Sequence, residues 1–88
     1  MIRILIPSVW SPDGRTAFEG AEGPLPDVVR RFADDHPWIA GRLFGPDGAP
    51  LLHVNLVVDD ELVPRRSRDA AVVGAGSTVT ILAPMAGG

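Results

Sequence analysis

Two alternating apolar segments, one at each end of the chain, constrain the fold more than any other feature. Ile2, Ile4 and Ile6 alternate with Arg3, Leu5 and Pro7, while Val79 and Ile81 alternate with Thr78, Thr80 and Leu82. Both segments have strand period, with β-branched residues gathered on one face. Between them lies one good amphipathic helix to cover that face. Leu25, Val28, Val29 and Phe32 fall at i, i+3, i+4 and i+7 as a single stripe, with Arg30, Arg31, Asp34 and Asp35 on the wet side. Pro24 suits the helix start and Pro26 is tolerated within the first turn, where backbone N–H groups have no partner to lose. Pro37 ends the helix by pushing His36 out of the α region.

The rest of the chain fills in around this frame. Ser11-Pro12-Asp13-Gly14 has type I turn chemistry and leads into a return strand over Arg15 to Glu19, with Phe18 pointing inward. Trp38, Ile39 and Leu43 suggest a short second helical turn, closed by Gly45-Pro46-Asp47-Gly48. His53 to Val58 alternates again, and Asp59-Asp60 turns it into a brief Leu62-Val63 strand that Pro64 stops. Arg65 to Gly76 reads as an irregular crossover, with Ala70 and Val72 or Val73 as core contacts, before the last strand from Ser77 to Leu82. The order is β-β-α-β-β-β, and the first and last strands can pair in parallel at the sheet centre. That is an α+β roll of the β-grasp, or ubiquitin-like, kind over residues 1–82. A mixed sheet of four to five strands is covered by one main helix, and residues 83–88 are left as a tail.

Composition narrows the function. A chain of 88 residues makes one thin core, burying roughly 60–65% of its unfolded surface, and has no room for a second domain. The 45% hydrophobic content and mean hydropathy of +0.17 argue against disorder. Cysteine is absent, which removes disulfides, thiolate metal sites and cysteine nucleophiles together. The net charge of −3 gives no general attraction to nucleic acid or an anionic membrane, and no apolar run approaches spanning length. A soluble cytoplasmic protein, monomeric by itself, is the expectation. All eight basic residues are Arg, so no side chain here can accept an isopeptide bond.

No residue cluster assembles an active site. Asp34, Asp35 and His36 are consecutive and point different ways, which reads as a solvated helix end and not as a metal site. Asp59, Asp60 and Glu61 read as a turn, and His53 has no Ser, Cys or Asp placed to form a triad. Gly74-Ala75-Gly76 precedes a strand, whereas a phosphate cradle needs a following helix. Trp10 and Trp38 read as core or rim packing, since no basic patch accompanies them. Arg65, Arg66 and Arg68 are the densest charge in the chain, either a solvated loop or a contact for an acidic partner surface.

The C-terminal stretch is different. From Ala70 to Gly88 no side chain carries charge, and Ala86-Gly87-Gly88 places nothing larger than a methyl group near the end. A Gly-Gly end arises by chance in roughly one chain in two hundred, so its weight comes from the fold order that precedes it. Gly has no Cβ, so a partner can close a narrow tunnel around the backbone. Ala83 to Gly88 extends about 20 Å, enough to deliver a carboxylate deep into another protein.

These features together resemble the MoaD/ThiS family of ubiquitin-like sulfur carrier proteins. The resemblance runs through Ile2 to Pro7, the Leu25/Val28/Val29 helix, Val54-Asn55-Leu56-Val57-Val58-Asp59-Asp60, and Gly76 to Leu82 into Met85-Ala86-Gly87-Gly88. It implies that an ATP-using, ubiquitin-activating-like adenylyltransferase/sulfurtransferase activates the Gly88 carboxylate, which becomes a thiocarboxylate, with Gly87 lining the tunnel. ATP would be used by that partner, and no cofactor would be bound by this chain. Sulfur would then pass to a biosynthetic enzyme. A cysteine synthase is the nearest in look; the alternative is that the chain is the small subunit of molybdopterin synthase or the sulfur donor for a natural-product pathway, and a β-grasp adaptor or protein modifier is the alternative of another class. Met85 stands where the family usually has Val. The face away from the helix should carry Leu5, Val57 and Leu82 beside Thr80 and Asn55, with Leu5 and Leu82 as neighbours near the tail. Leu5, Val57, Leu82, Met85, Ala86, Arg65 and Arg66 are the expected partner contacts.

Overall fold

The computed structural model describes residues 1–50 and 54–83. Strand β1 (Ile2–Leu5) leads through a 3-10 turn at Ser8–Trp10 to β2 (Ala17–Gly20) and the two-residue β3 (Gly23–Pro24). Helices α1 (Leu25–Asp35) and α2 (Pro37–Leu43) follow, then β4 (Asn55–Val58) and β5 (Glu61–Leu62). A second 3-10 turn at Arg65–Ser67 precedes β6 (Val72–Val73) and β7 (Thr78–Leu82).

Five strands form one mixed sheet in the order β2-β1-β7-β4-β5. β1 and β7 pair in parallel at its centre, and the neighbouring pairs are antiparallel. The expected β-grasp topology is therefore present, with the chain's first and last strands side by side. Gly76 sets up this pairing: it adopts φ +84, a left-handed conformation that costs glycine little, and its N–H donates to the Met1 carbonyl at 2.9 Å. The β4–β5 hairpin has a two-residue loop, Asp59-Asp60, with both residues at positive φ, the geometry whose twist matches the strands.

The core lies between the sheet and the helices. Ile2, Ile4, Phe18, Leu56, Val79 and Ile81 from the sheet meet Leu25, Val28, Phe32, Ile39 and Leu43 from the helices, all buried. At one end the Phe18 and Phe32 rings meet edge to face at 5.3 Å. His36 joins them, its Nδ1 3.1 Å from the Phe32 carbonyl, which accepts, and its ring centroid 4.8 Å from that of Phe18. His36 thus packs and closes the end of α1, and Trp10 is buried while Trp38 sits at the rim.

Two parts differ from the sequence reading. Gly20 to Pro24 is more than a loop: Gly23 and Pro24 pair antiparallel with Val73 and Val72 in a second, two-stranded sheet. Leu25 N–H then donates to the Ala71 carbonyl at 2.9 Å, tying the start of α1 to the crossover. Ala70 is exposed and not a core contact; the neighbouring Ala71 packs on the core, because the turn after Arg65–Ser67 rotates Ala70 outward. Of the two valines, Val73 is buried and Val72 is 70% exposed. No helix among the described residues is long and apolar enough to cross a membrane.

Candidate functional site

The helices cover one side of the sheet and leave the other open. Strand alternation sends Leu5, Val57, Thr80, Asn55 and Leu82 to that open side, as their buried neighbours Ile4, Leu56, Val79 and Ile81 face the core. Register then aligns them. Ala17 pairs with Leu5, Leu5 with Thr80, Thr80 with Val57, and Val57 with Leu62. One row therefore crosses all five strands, with adjacent side chains about 5 Å apart. Leu5, Thr80 and Val57 are half-buried by their neighbours, whereas Leu62 at the edge is 60% exposed.

Leu82 opens a second row. It is paired with Asn55 on β4 and is 43% exposed. Leu5 and Leu82 lie on adjacent strands as expected, but diagonally: the residue directly beside Leu5 is Thr80. The parallel register places Leu82 two positions further along, beside the start of the 3-10 turn that follows β1. Val9 in that turn is 81% exposed, an apolar side chain at the end of the sheet where β7 leaves. Sequence reading missed Val9 and Leu62. Leu62 could have been found from its register with Val57; Val9 has no periodicity to betray it.

Charge is placed away from this corner. Arg3 faces Glu19 across β1–β2 at the opposite end of the sheet. Asp59 accepts from Ser77 Oγ at 2.7 Å and from the Thr78 N–H at 2.9 Å, and these bonds, the backbone one first, hold its carboxyl below the usual carboxylate range. Arg65 and Arg66 are exposed on the second 3-10 turn, beyond the β5 edge. Leu5, Val57 and Leu82 are thus brought together, and the two arginines stand apart from them. Met85, Ala86, Gly87 and Gly88 lie outside the described residues, as does His53. Ala83, the last described residue of this end, is exposed immediately after Leu82. An apolar row beside the end of β7 can seat another protein. Among the described residues, no group of three His, Asp or Glu side chains is placed to hold a metal.

No protein-family model matches the sequence, and no curated protein matches it. Solved structures do. CysO from Mycobacterium tuberculosis is 26% identical with a TM-score of 0.80, the match covering 97% of this chain and 100% of that one. CysO from Amycolatopsis orientalis, solved in a complex with BexX, is 27% identical with a TM-score of 0.78, and both chains are covered completely. The small archaeal modifier protein SAMP1 from Haloferax volcanii shares the fold at 18% identity and a TM-score of 0.75, over 99% of this chain and 98% of that one. Over its whole length, then, this chain is a β-grasp protein similar to the ubiquitin-like sulfur carriers of the MoaD/ThiS type.

Proposed function

We propose that this protein is a sulfur carrier, a protein co-substrate and not an enzyme, whose working atom is the carboxyl carbon of Gly88. The observation that carries the reading is the full-length likeness to CysO in a chain whose last strand ends beside an open apolar face. A carboxylate is a poor electrophile. An activating enzyme transfers AMP from ATP to it, pyrophosphate leaves, and the acyl-adenylate now has a good leaving group. Sulfide delivered by a sulfurtransferase displaces AMP, the C–S bond forming as the C–O bond to AMP breaks, and leaves a thiocarboxylate, which is itself a strong nucleophile. The attacking sulfur is then built on the backbone, consistent with a carrier that has no cysteine. The Leu5–Thr80–Val57–Leu62 row and Leu82 seat the activating and accepting enzymes in turn, while Gly87 and Gly88 pass through a tunnel too narrow for side chains.

Among acceptors, a pyridoxal-phosphate cysteine synthase is the favoured one, since the CysO likeness reaches 26–27% identity over whole chains. A modifier role is the second reading, favoured by the likeness to SAMP1, and it would place Gly88 in isopeptide bonds with lysines of other proteins. Intact mass separates them. Incubated with ATP, an activating enzyme and a sulfide source, the carrier gains about 16 Da, one oxygen exchanged for sulfur. Deleting Gly88 abolishes the gain and leaves the fold unchanged. An unchanged mass for the intact chain overturns the carrier reading, and adducts on target lysines establish the modifier.

A further inference from the structure

The two edges of the five-stranded sheet are finished differently. At the β5 edge the strand is two residues long, Pro64 stops it, and the charged Arg65 and Arg66 follow. The β2 edge is four residues long, contains no proline and has no further strand beside it. Ile6 N–H donates to the Thr16 carbonyl at 3.0 Å, and the same register pairs Phe18 with Ile4 and Gly20 with Ile2. Thr16, Phe18 and Gly20 therefore turn their backbone groups toward β1, and Ala17 and Glu19 turn theirs outward. One outward group is in use. Arg15 curls over the edge, its Nε donating to the Ala17 carbonyl at 3.0 Å and its guanidinium lying 4.5 Å from the centre of the Phe18 ring.

The side chains along this edge are complementary to themselves. Arg15, Ala17 and Glu19 are all exposed. With a second copy laid antiparallel about a two-fold axis at Ala17, Ala17 meets Ala17 and each Arg15 meets Glu19 of the other copy. Methyl groups at the axis let the backbones approach to ladder distance, where each Ala17 N–H donates to the other Ala17 carbonyl. Opposite charges then stand directly across the new ladder. Within one copy neither charge is matched, since the one ion pair among the described residues is Met1 with Glu22. Sliding to either neighbouring register sets a charge opposite Ala17 and matches none, so the charges select the register. We propose that the β2 edge is a self-association site at which two copies of this chain join about Ala17 into one continuous sheet. The second copy must displace the Arg15 side chain from the Ala17 carbonyl, exchanging one hydrogen bond for another. The dimer is therefore weak, and dilute protein stays monomeric. Edge pairing keeps both open faces on the same side, so two Leu5–Thr80–Val57–Leu62 rows lie in one surface. The site is independent of the sulfur-carrier reading.

Amide-resolved NMR of the full chain at low ionic strength, with diffusion measured on the same samples, tests it. Between about 0.05 and 2 mM the Ala17 and Glu19 amides should shift with concentration and diffusion should slow toward that of a dimer, both effects weakening as salt is added. Arg15→Glu and Glu19→Arg should each raise the dissociation constant at least about fivefold, because each sets like charges across the axis. An equimolar mixture of the two variants should recover the association, since in the mixed pair every contact across the axis is again between opposite charges. A merely structural role for either residue would not produce that recovery. Wild-type spectra independent of concentration, variants that associate as the wild type does, or a mixture no stronger than its components overturns the proposal. Concentration-dependent shifts centred on Val9 and Leu62 in place of Ala17 and Glu19 overturn it as well.

Discussion

The inner and outer faces of the five-stranded sheet are built from alternate residues of the same strands, both carry aliphatic side chains, and they serve opposite ends. Inward, Ile4, Val79 and Ile81 are sealed against α1 and α2. Outward, Leu5, Val57 and Leu62 lie beside Thr80 with no second layer among the described residues above them, each partly or largely exposed. The difference teaches that hydrophobicity alone does not mark a core. A face becomes a core when a second layer covers it, and the chain has one helical layer to spend.

Substitutions at matched positions should break the two faces apart. The largest effect belongs to the inner face: Ile81→Ala should cost about 2–4 kcal/mol in urea unfolding, through lost transfer energy and the cavity left behind. On the outer face, Leu5→Ala should cost less, about 1–2 kcal/mol, since that side chain is only partly buried. Its effect should appear instead with a partner: Leu5→Ala combined with Leu82→Ala should slow thiocarboxylate formation by at least about tenfold, read by mass spectrometry against time. Similar losses of stability on both faces would refute the distinction.

Smaller effects sharpen the comparison at the hairpin that joins β4 to β5. Asp60 sits at φ 72, so Asp60→Gly should stabilise the domain by up to about 1 kcal/mol by relieving the left-handed conformation, as followed by its urea midpoint. Asp59 gives the smallest effect. Its hydrogen bonds to Ser77 and Thr78 depress its folded-state pKa. It therefore contributes stability above the unfolded-state pKa that is lost as pH falls through the folded one. Asp59→Asn tolerates φ 49 and should flatten the acid limb of stability against pH by slightly lowering stability in the neutral range, where ionised Asp59 contributes, while the strongly acid range stays little changed.

What was legible in the sequence divides along physical lines. β1, β7 and α1 were readable because repeating apolar positions report which face is buried, and the outer placement of Leu5, Val57 and Leu82 followed from the same period. Register was not readable. A slip of two residues keeps every side chain on its face, so alternation could put Leu5 and Leu82 on one side without revealing that Thr80 stands between the rows. β3 and β6 were invisible for a different reason: two-residue strands, one of them Gly-Pro, have no period, and their pairing depends on the α1 start meeting the crossover. Ala70 and Ala71 could not be told apart without the rotation of the preceding turn.

The parallel pairing of β1 with β7 also orders events during synthesis. The central ladder cannot close until the ribosome has released residues 78–82, so the nascent β1–β2 pair waits, lacking its central neighbour, while residues 21–77 are made. A truncated product lacks the middle of its sheet and cannot present a finished seat to an enzyme. Quality control is thereby built into the topology: any enzyme that docks on this face meets a completed surface only on molecules translated through β7.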